Sequence, residues 1–329
     1  EEKSLLNNEV LTSLTLTSQL FDVSMLEMVL PLITGGIVVI ASESKEPEEV
    51  VATCLKHQVS ILQGTPTYMT YFESELSEEK GAQLTKTLKY ICIGGESLNA
   101  VLVQNLKQKL PNTQLNNHYG PTETTIDALV KEDIGSFDEN SIGKPVGKRT
   151  NVYVLDESDN PLPVGVIGEL FIGGEGVGLG YINDEARTNE KFRHVSTVHQ
   201  RLYATGDLVR WNAQGEIVFV GRKDTQVKIN GYRIELDEIS NRILAQDGVS
   251  GAHAAVAKGM LVSWFVGERD KETIKSELRK SLPEYMIPGA LFAVDEIPLK
   301  VNGKVDEKQL IQSQQIEHAG LHGFVVDSN

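Results

Sequence analysis

A ten-residue run from Asn116 to Thr125, NNHYGPTETT, gathers an imidazole, a phenol, three threonine hydroxyls and one carboxylate around a Gly-Pro step. Gly-Pro marks a turn, because glycine tolerates unusual backbone angles and proline fixes its own. Two chemistries fit the Thr-Glu-Thr-Thr cluster after the turn. The hydroxyls can cap a helix by accepting orphan amide protons, or the hydroxyls and Glu123 can hold a phosphate and its Mg²⁺. Other stretches carry the same ambiguity. YATGDLVRW (203–211) sets Thr205-Gly206-Asp207 at an expected turn between strands. There Asp207 either bonds its own backbone or grips the vicinal hydroxyls of a sugar. GRKDTQVKINGYRIEL (221–236) is either a solvated hairpin or a flexible joint bearing phosphate-seeking cations, among them Arg222 and Lys228. PLKVNGKVD (298–306) places Lys304 directly after Asn-Gly, the strongest short hairpin signal. A lysine there is surface decoration, or a cation able to neutralise a reacting carboxylate or phosphate. GGEGVGLGY (173–181) lacks the G-x-G-x-x-G dinucleotide spacing. It reads as tight turns that let backbones approach closely.

Such residues need a scaffold, and the first half of the chain supplies one pattern. MVLPLITGGIVVIA (28–41) reads as an apolar helix, a Gly-Gly turn and a short buried strand. SILQGTP (60–66) and LKYICIGGES (88–97) read as strands ending in Gly, Thr or Ser, with helices at EPEEVVATCLKHQ and NAVLVQNLKQKLP. The alternation predicts a mostly parallel α/β sheet. Ligands of such sheets collect beyond the strands' carboxyl ends, where Gln63-Gly64-Thr65, Gly94-Gly95-Glu96 and His118-Tyr119-Gly120 fall. From about residue 140 the pattern changes to strands separated by Asp, Asn, Pro and Gly turns, which predicts an antiparallel segment. The stretch 250–312 predicts a small α+β unit.

Composition excludes several classes. A length of 329 residues suggests roughly two domains. The formal charge of −15 argues against nucleic acid and anionic membranes as partners. Cys54 and Cys92 sit in apolar runs with no metal-type spacing, so both are expected to be buried and no disulfide framework is indicated. The apolar stretches are too short to span a bilayer. With no signal peptide read at the start, the cytoplasm is the expected compartment.

Singly the motifs are modest, but their order is specific. FDVS (21–24), NHYGPTE (117–123), GELFIGG (168–174), YATGD (203–207), GRKDTQVKINGYRIEL (221–236) and PLKVNGKVD (298–306) follow the order and spacing of adenylate-forming enzymes. Over about residues 10–312 the chain resembles the adenylation domains of nonribosomal peptide synthetases. The resemblance implies ATP-dependent activation of a carboxylic acid with release of pyrophosphate, then transfer to the phosphopantetheine thiol of a peptidyl carrier protein domain. It implies neighbouring synthetase domains as partners. It also implies a large α/β core domain over 1–220, a hinge at 221–224 centred on Asp224, a small α+β lid over 221–312 that rotates between the half-reactions, and a linker or tail over 313–329. The family's Ser/Thr/Gly-rich phosphate loop has no counterpart before Asp22. The resemblance is therefore to a large domain without its N-terminal portion, with part of its core expected to lie uncovered.

Residue by residue, the resemblance places Tyr119 against adenine, Thr122 on the α-phosphate and Glu123 on Mg²⁺. Asp207 takes the ribose hydroxyls and Arg222 lies near the ribose or phosphates. Gly95, Glu96 and Asn117 complete the nucleotide-binding set. Lys304 serves adenylation and Lys228 serves thioester formation. The substrate pocket is implied to comprise Asp22, Val23, Leu26, Gln63, Cys92, Gly94, His118, Ile126, Asp127 and Lys304. Asp22 matches the aspartate that pairs with an amino acid's α-ammonium, which favours an amino acid over the simple acids of acyl- or aryl-CoA ligases. Gln63, His118 and Asp127 are costly to bury unpaired, so a hydrogen-bonding or cationic substrate side chain is expected, with Gly94 leaving depth. A non-catalytic fragment that only binds a partner is the reading from another class.

Overall fold

The computed structural model describes residues 9–42, 45–135, 140–300 and 304–313. The chain divides into two compact units, Glu1–Lys223 and Asp224–Asn329. In the first unit the elements run β1 (Thr12–Thr15), α1 (Ser24–Ile33), β2 (Ile37–Ile40), α2 (Pro47–His57), β3 (Ile61–Gly64), α3 (Pro66–Ser74), α4 (Glu78–Leu84), β4 (Tyr90–Gly94), α5 (Ala100–Lys109) and β5 (Gln114–Tyr119). They continue with β6 (Leu129–Lys131), β7 (Ser141–Pro145), β8 (Thr150–Leu155), β9 (Gly168–Gly174), α6 (Glu185–Lys191), β10 (Phe192–Val195), β11 (Gln200–Trp211) and β12 (Ile217–Arg222).

Among the described residues these strands form one sheet in the order β2-β1-β3-β4-β5-β6-β7-β12-β11-β9-β8, with β10 added beside β11. The pairings from β2 through β5 are parallel, and from β5 onward they are antiparallel. The change of style expected near residue 140 thus falls slightly earlier, at the β5–β6 reversal.

Period-two alternation sorts the parallel strands. Leu62, Ile91, Ile93 and Leu115 join a core with Val51 and Cys54 of α2, Phe72 of α3 and Leu106 of α5. Each such side chain contributes about 1.5–3 kcal/mol on burial. Gln63, Cys92, Asn116 and His118 alternate with these residues along the same strands. Helix caps place the covering elements: Thr65 accepts from the Tyr68 amide with Pro66 at the first turn, and Asn99 accepts from the Leu102 amide. Both cysteines are buried, as their apolar runs predict, and burial pushes the Cys54 thiol up to about 12.

Three expectations need correction. The strand in GGIVVIA is not buried: β2 is the sheet edge, hydrogen-bonded only to β1 in the strand order, and Ile37 and Ile40 are 60% and 81% exposed. Thr205-Gly206-Asp207 is not a turn between strands. It lies inside β11, which runs unbroken while its register against β9 shifts between Ala204 and Leu208. Gly206 at φ +77° absorbs that shift as a bulge. The threonine cluster after Tyr-Gly-Pro starts no α-helix, forming one 3-10 turn over Thr122–Thr124.

The second unit starts with a hairpin of β13 (Gln226–Ile229) and β14 (Tyr232–Glu235), turned by Asn230-Gly231 with both residues at positive φ. Then come α7 (Leu236–Leu244), β15 (Val249–Ala257), β16 (Met260–Gly267), α8 (Lys271–Arg279), β17 (Ala290–Ala293) and α9 (Glu307–Ser313). β15 and β16 pair antiparallel, β16 and β17 parallel. Ile239, Ile243, Ile274 and Leu278 pack α7 and α8 into the core of this unit, the small α+β architecture the sequence predicts. The expected linker or tail beyond residue 313 lies outside the described residues. Among the described residues no helix is long and apolar enough to cross a membrane.

Candidate active site

Tyr119 ends β5, Asp207 sits on the β11 bulge, and Arg222 ends β12 as the register partner of Asp207. The topology brings all three together. Asp207 is buried; its Oδ2 accepts a hydrogen bond from the Tyr119 hydroxyl, and its Oδ1 accepts from Arg222 Nη1 at 2.7 Å. Arg222 also donates to the Thr205 carbonyl at 3.1 Å, and the Thr205 hydroxyl accepts from the Asp207 amide. Burial, with Asp207 beside it, holds the Tyr119 phenol well above its ordinary value, so it stays a donor. Each carboxylate oxygen accepts more than one hydrogen bond, so the cluster can bind a diol without dissolving the Arg222 pair.

The Thr122–Thr124 turn follows directly. Gly120 is obligatory there, because a Cβ would collide with the Ile126 carbonyl. Thr125 and Ile126, both β-branched, take φ +65°, a left-handed conformation that costs such residues energy and that collects at functional sites. The glycine-rich segment after β9 holds this turn in place. Thr125 donates to the Gly176 carbonyl at 2.7 Å, the Gly178 amide donates to the Glu123 carbonyl at 2.8 Å, and Tyr181 donates to Glu123 Oε1 at 2.6 Å. The close backbone approach read from GGEGVGLGY thus has its partner. Thr122 is exposed at the turn. Tyr181 was not singled out from sequence, although the aromatic ending of a glycine run beside an acidic turn is a usable signal. Burial and the Glu123 hydrogen bond raise its phenol pKa.

Of the other nucleotide-side residues, Gly95 lies at φ +87° beyond β4. Glu96 accepts from the Thr67 hydroxyl at 2.6 Å, and Asn117 donates its side-chain amide to the Ser141 carbonyl at 2.9 Å.

A cavity of about 230 Å³ opens on the opposite side of β5 and is lined by Leu26, Gln63, Cys92, His118, Ile126 and Asp127 together with Glu27 and Leu30 of α1. His118 Nδ1 and Asp127 Oδ2 lie 2.7 Å apart. Burial opposes a charged imidazole, but Cys92 and Asp127 outweigh it and hold His118 well above the ordinary 6.5. Its Nε2 is buried with no hydrogen-bond partner among the described residues. Glu27, which no sequence motif marks, is buried and accepts from the Leu16 amide and from the amide and hydroxyl of Thr17. Burial raises its pKa. An acid within the apolar run SMLEMVLPLI was its signal.

Asp22, Val23 and Gly94 do not line this cavity. Asp22 and Val23 form the turn into α1; Asp22 Oδ1 accepts from the Val23 amide at 2.8 Å, while its Oδ2 is buried with no partner among the described residues. Gly94 pairs with His118 in the sheet, and a Cβ there would press on the His118 backbone. The glycine thus admits His118 at its side.

In the second unit, Lys228 is exposed on β13 opposite Arg233. Asp224 opens the unit and accepts from the Gln226 amide at 3.3 Å. Lys304 is exposed, its carbonyl accepting from the Lys300 amide at 2.7 Å. The Asn-Gly pair before it lies outside the described residues.

Among the described residues no group of three or more His, Cys, Asp or Glu is placed to hold a metal ion. A Mg²⁺ ion bound with a nucleotide takes one or two protein carboxylates plus phosphates and water, and Glu123, held by Tyr181, is a carboxylate of that kind.

The fold is that of adenylate-forming enzymes. A family model described as AMP-binding enzyme matches residues 5–182, more than half of the 329 residues, and the chain belongs to that family. Gramicidin S synthase 2 of Aneurinibacillus migulanus is 36% identical over 93% of this chain, which spans only 7% of that protein. The solved structure of holo-PA1221, an NRPS protein containing adenylation and PCP domains bound to a vinylsulfonamide inhibitor, is similar with a TM-score of 0.81 and 27% identity, covering 93% of this chain and 54% of that one. The crystal structure of holo-AB3403, a four domain nonribosomal peptide synthetase bound to AMP and glycine, gives a TM-score of 0.59 and 33% identity over 91% of this chain and 23% of that one.

Proposed function

We propose that this chain forms the nucleotide and amino-acid site of a nonribosomal peptide synthetase adenylation domain acting in the cytoplasm. The observation that carries the reading is the convergence of Tyr119, Asp207 and Arg222 beside the clamped Glu123 turn. A carboxylate oxygen of the amino acid attacks the α-phosphorus of ATP, a P–O bond forms, and the bond to the β-phosphate breaks with its electron pair leaving on pyrophosphate. Asp207 positions the ribose through its hydroxyls, Tyr119 supports the adenine with its ring, and the Thr122 hydroxyl steadies the α-phosphate. Glu123 would hold the Mg²⁺ that accompanies the triphosphate, and that ion would neutralise charge on the phosphates. In the second half-reaction the phosphopantetheine sulfur of a carrier domain attacks the mixed anhydride carbonyl, a C–S bond forms and AMP leaves.

The orphaned Asp22 Oδ2 supports an amino acid over a simple acid, because a buried carboxylate oxygen without a partner calls for a donor such as an α-ammonium. We assign Lys304 to adenylation and Lys228 to thioester formation, with Asp224 as the hinge. The test is kinetic. Lys304→Ala should abolish amino-acid-dependent ATP–pyrophosphate exchange and spare transfer from preformed aminoacyl-AMP, and Lys228→Ala should do the reverse. Equal losses in both assays for both variants would overturn the assignment.

A further inference from the structure

Glu27 lines the cavity, but its carboxylate is directed at the chain's own backbone. Oε2 accepts from the Leu16 amide and from the Thr17 amide, both at 3.0 Å, and Oε1 accepts from the Thr17 hydroxyl at 2.8 Å. Lys45 grips the same stretch from its other side, donating to the Leu16 carbonyl at 2.7 Å. The Glu27 carbonyl in turn accepts from the Ser13 hydroxyl of β1. The segment closed in this way, residues 18–26, carries Asp22 near its middle. Ser18, Gln19 and Leu20 are exposed, and backbone bonds run inside the turn, from the Phe21 amide to the Ser18 carbonyl and from the Met25 amide to the Asp22 carbonyl. Apolar packing does not duplicate the Glu27 hold. The buried residues of α1 are Ser24, Glu27 and Pro31, and among the described residues α1 adds no buried side chain to the apolar core beneath the parallel strands. Val29, Leu32 and Ile33 of the same helix are exposed. A buried carboxylate is costly unless it is hydrogen-bonded, and this one fastens a turn rather than filling a core.

We infer that Glu27 is a positioning residue for recognition of the substrate's α-ammonium, acting through Asp22. The Val23 amide fixes Asp22 Oδ1 locally at 2.8 Å, which sets the direction of that carboxylate. The Glu27 bonds set where the turn bearing it lies against β1. Together they keep Asp22 Oδ2 buried, with no partner among the described residues, at the place where a donor would enter. A recognition contact is held to within about 0.5 Å only when the groups behind it are themselves locked by packing and hydrogen bonds. The inference rests on the proposed amino-acid adenylation, with Asp22 as the partner of the ammonium, and deepens that reading with a residue that acts without touching the ammonium.

The test is ATP–pyrophosphate exchange by the full-length polypeptide as the cell makes it. The common L-amino acids and L-ornithine are screened, and kinetics on the best of them are compared for the natural chain, Asp22→Ala, Glu27→Gln and the double variant. Gln offers one acceptor oxygen where Glu27 offers two, and turns an amide toward the Leu16 and Thr17 donors. Glu27→Gln should raise the KM for the amino acid roughly tenfold and change the KM for ATP less than about twofold. Asp22→Ala should lower kcat/KM for the amino acid more than about tenfold. The double variant should fall within about threefold of Asp22→Ala alone, because residues that act as a unit are not additive. A merely structural loss would move both KM values, or would multiply with that of Asp22→Ala. Either result overturns the inference and leaves adenylation intact, as does an unchanged KM in Glu27→Gln. If Asp22→Ala is itself silent, the assignment of Asp22 fails and the inference fails with it. No exchange with any amino acid, in a protein shown by calorimetry to bind Mg·ATP, overturns the adenylation reading as well. Where Glu27→Gln does not fold, Thr17→Val decides by the same comparison. It removes the hydroxyl bond to Glu27, and Thr17→Ser, which keeps that bond, should restore the natural KM.

Discussion

In the proposed site Tyr119 would offer a nucleotide two things, a ring face and a hydroxyl, and the hydroxyl is already bonded to Asp207. Their contributions separate by substitution. Tyr119→Phe keeps the ring and should change the KM for ATP by less than about threefold, at a stability cost of about 1 kcal/mol. Asp207→Ala should raise that KM more than about tenfold, read from exchange rates at varied ATP. The His118–Asp127 pair makes a pH prediction. Its folded-state histidine pKa is raised above the ordinary 6.5, so the pair's contribution is complete below the unfolded value and is lost as pH rises through the folded one. The stability difference between the natural chain and Asp127→Asn, measured by denaturant titration, should shrink as pH climbs above about 6.5; a difference that grows would contradict the pairing. The residue types of this site were legible in sequence, but their pairing was not. His118 and Asp127 lie nine residues apart and meet because the chain reverses between β5 and β6. Asp207 and Arg222 meet through a strand register that no motif encodes.

Among the elements, the clamped turn is the most constrained. Gly120→Ala drives a methyl into the Ile126 carbonyl, and it should cost about 1–3 kcal/mol and reduce activity beyond that loss, since Thr125 and Ile126 already sit at φ +65°. Thermal unfolding and exchange rate measured together check this; a variant of natural stability would show that the turn relaxes freely. Elements with strong punctuation were readable, as with α2, opened by Pro47, and the Asn230-Gly231 hairpin. Those missed had weaker signals. α3 is rich in Thr and Tyr, which lower helix propensity, and only its Thr-Pro start advertises it. β1 is Thr-Ser-Leu-Thr, with one large apolar residue, yet lies between β2 and β3 in the sheet. The glycine of YATGD suggested a turn, because a bulge inside a long strand uses the same residue.

At the scale of the molecule, the parallel-to-antiparallel order of the sheet was legible because each half has its own period and punctuation. The exposure of one edge followed from no local pattern. Leu32, Ile33, Ile37 and Ile40 are all exposed, on α1 and on the edge strand β2, where isolated apolar residues would be ordinary but a group is not. Because Ile37 and Ile40 are exposed, Ile37→Thr with Ile40→Thr should leave the thermal unfolding midpoint little changed; a large fall in the midpoint would show that both side chains are packed. The central claim is that this site joins an amino acid's carboxylate to AMP, and isotope transfer addresses it most directly. The full-length polypeptide would be given ATP, Mg²⁺ and its amino acid labelled with ¹⁸O in the carboxylate, and the AMP released after hydrolysis or transfer analysed by mass spectrometry. The predicted result is one ¹⁸O in the AMP phosphate, carried there by the P–O bond formed in the first half-reaction. AMP without label, or ATP cleaved to ADP and phosphate, would contradict it.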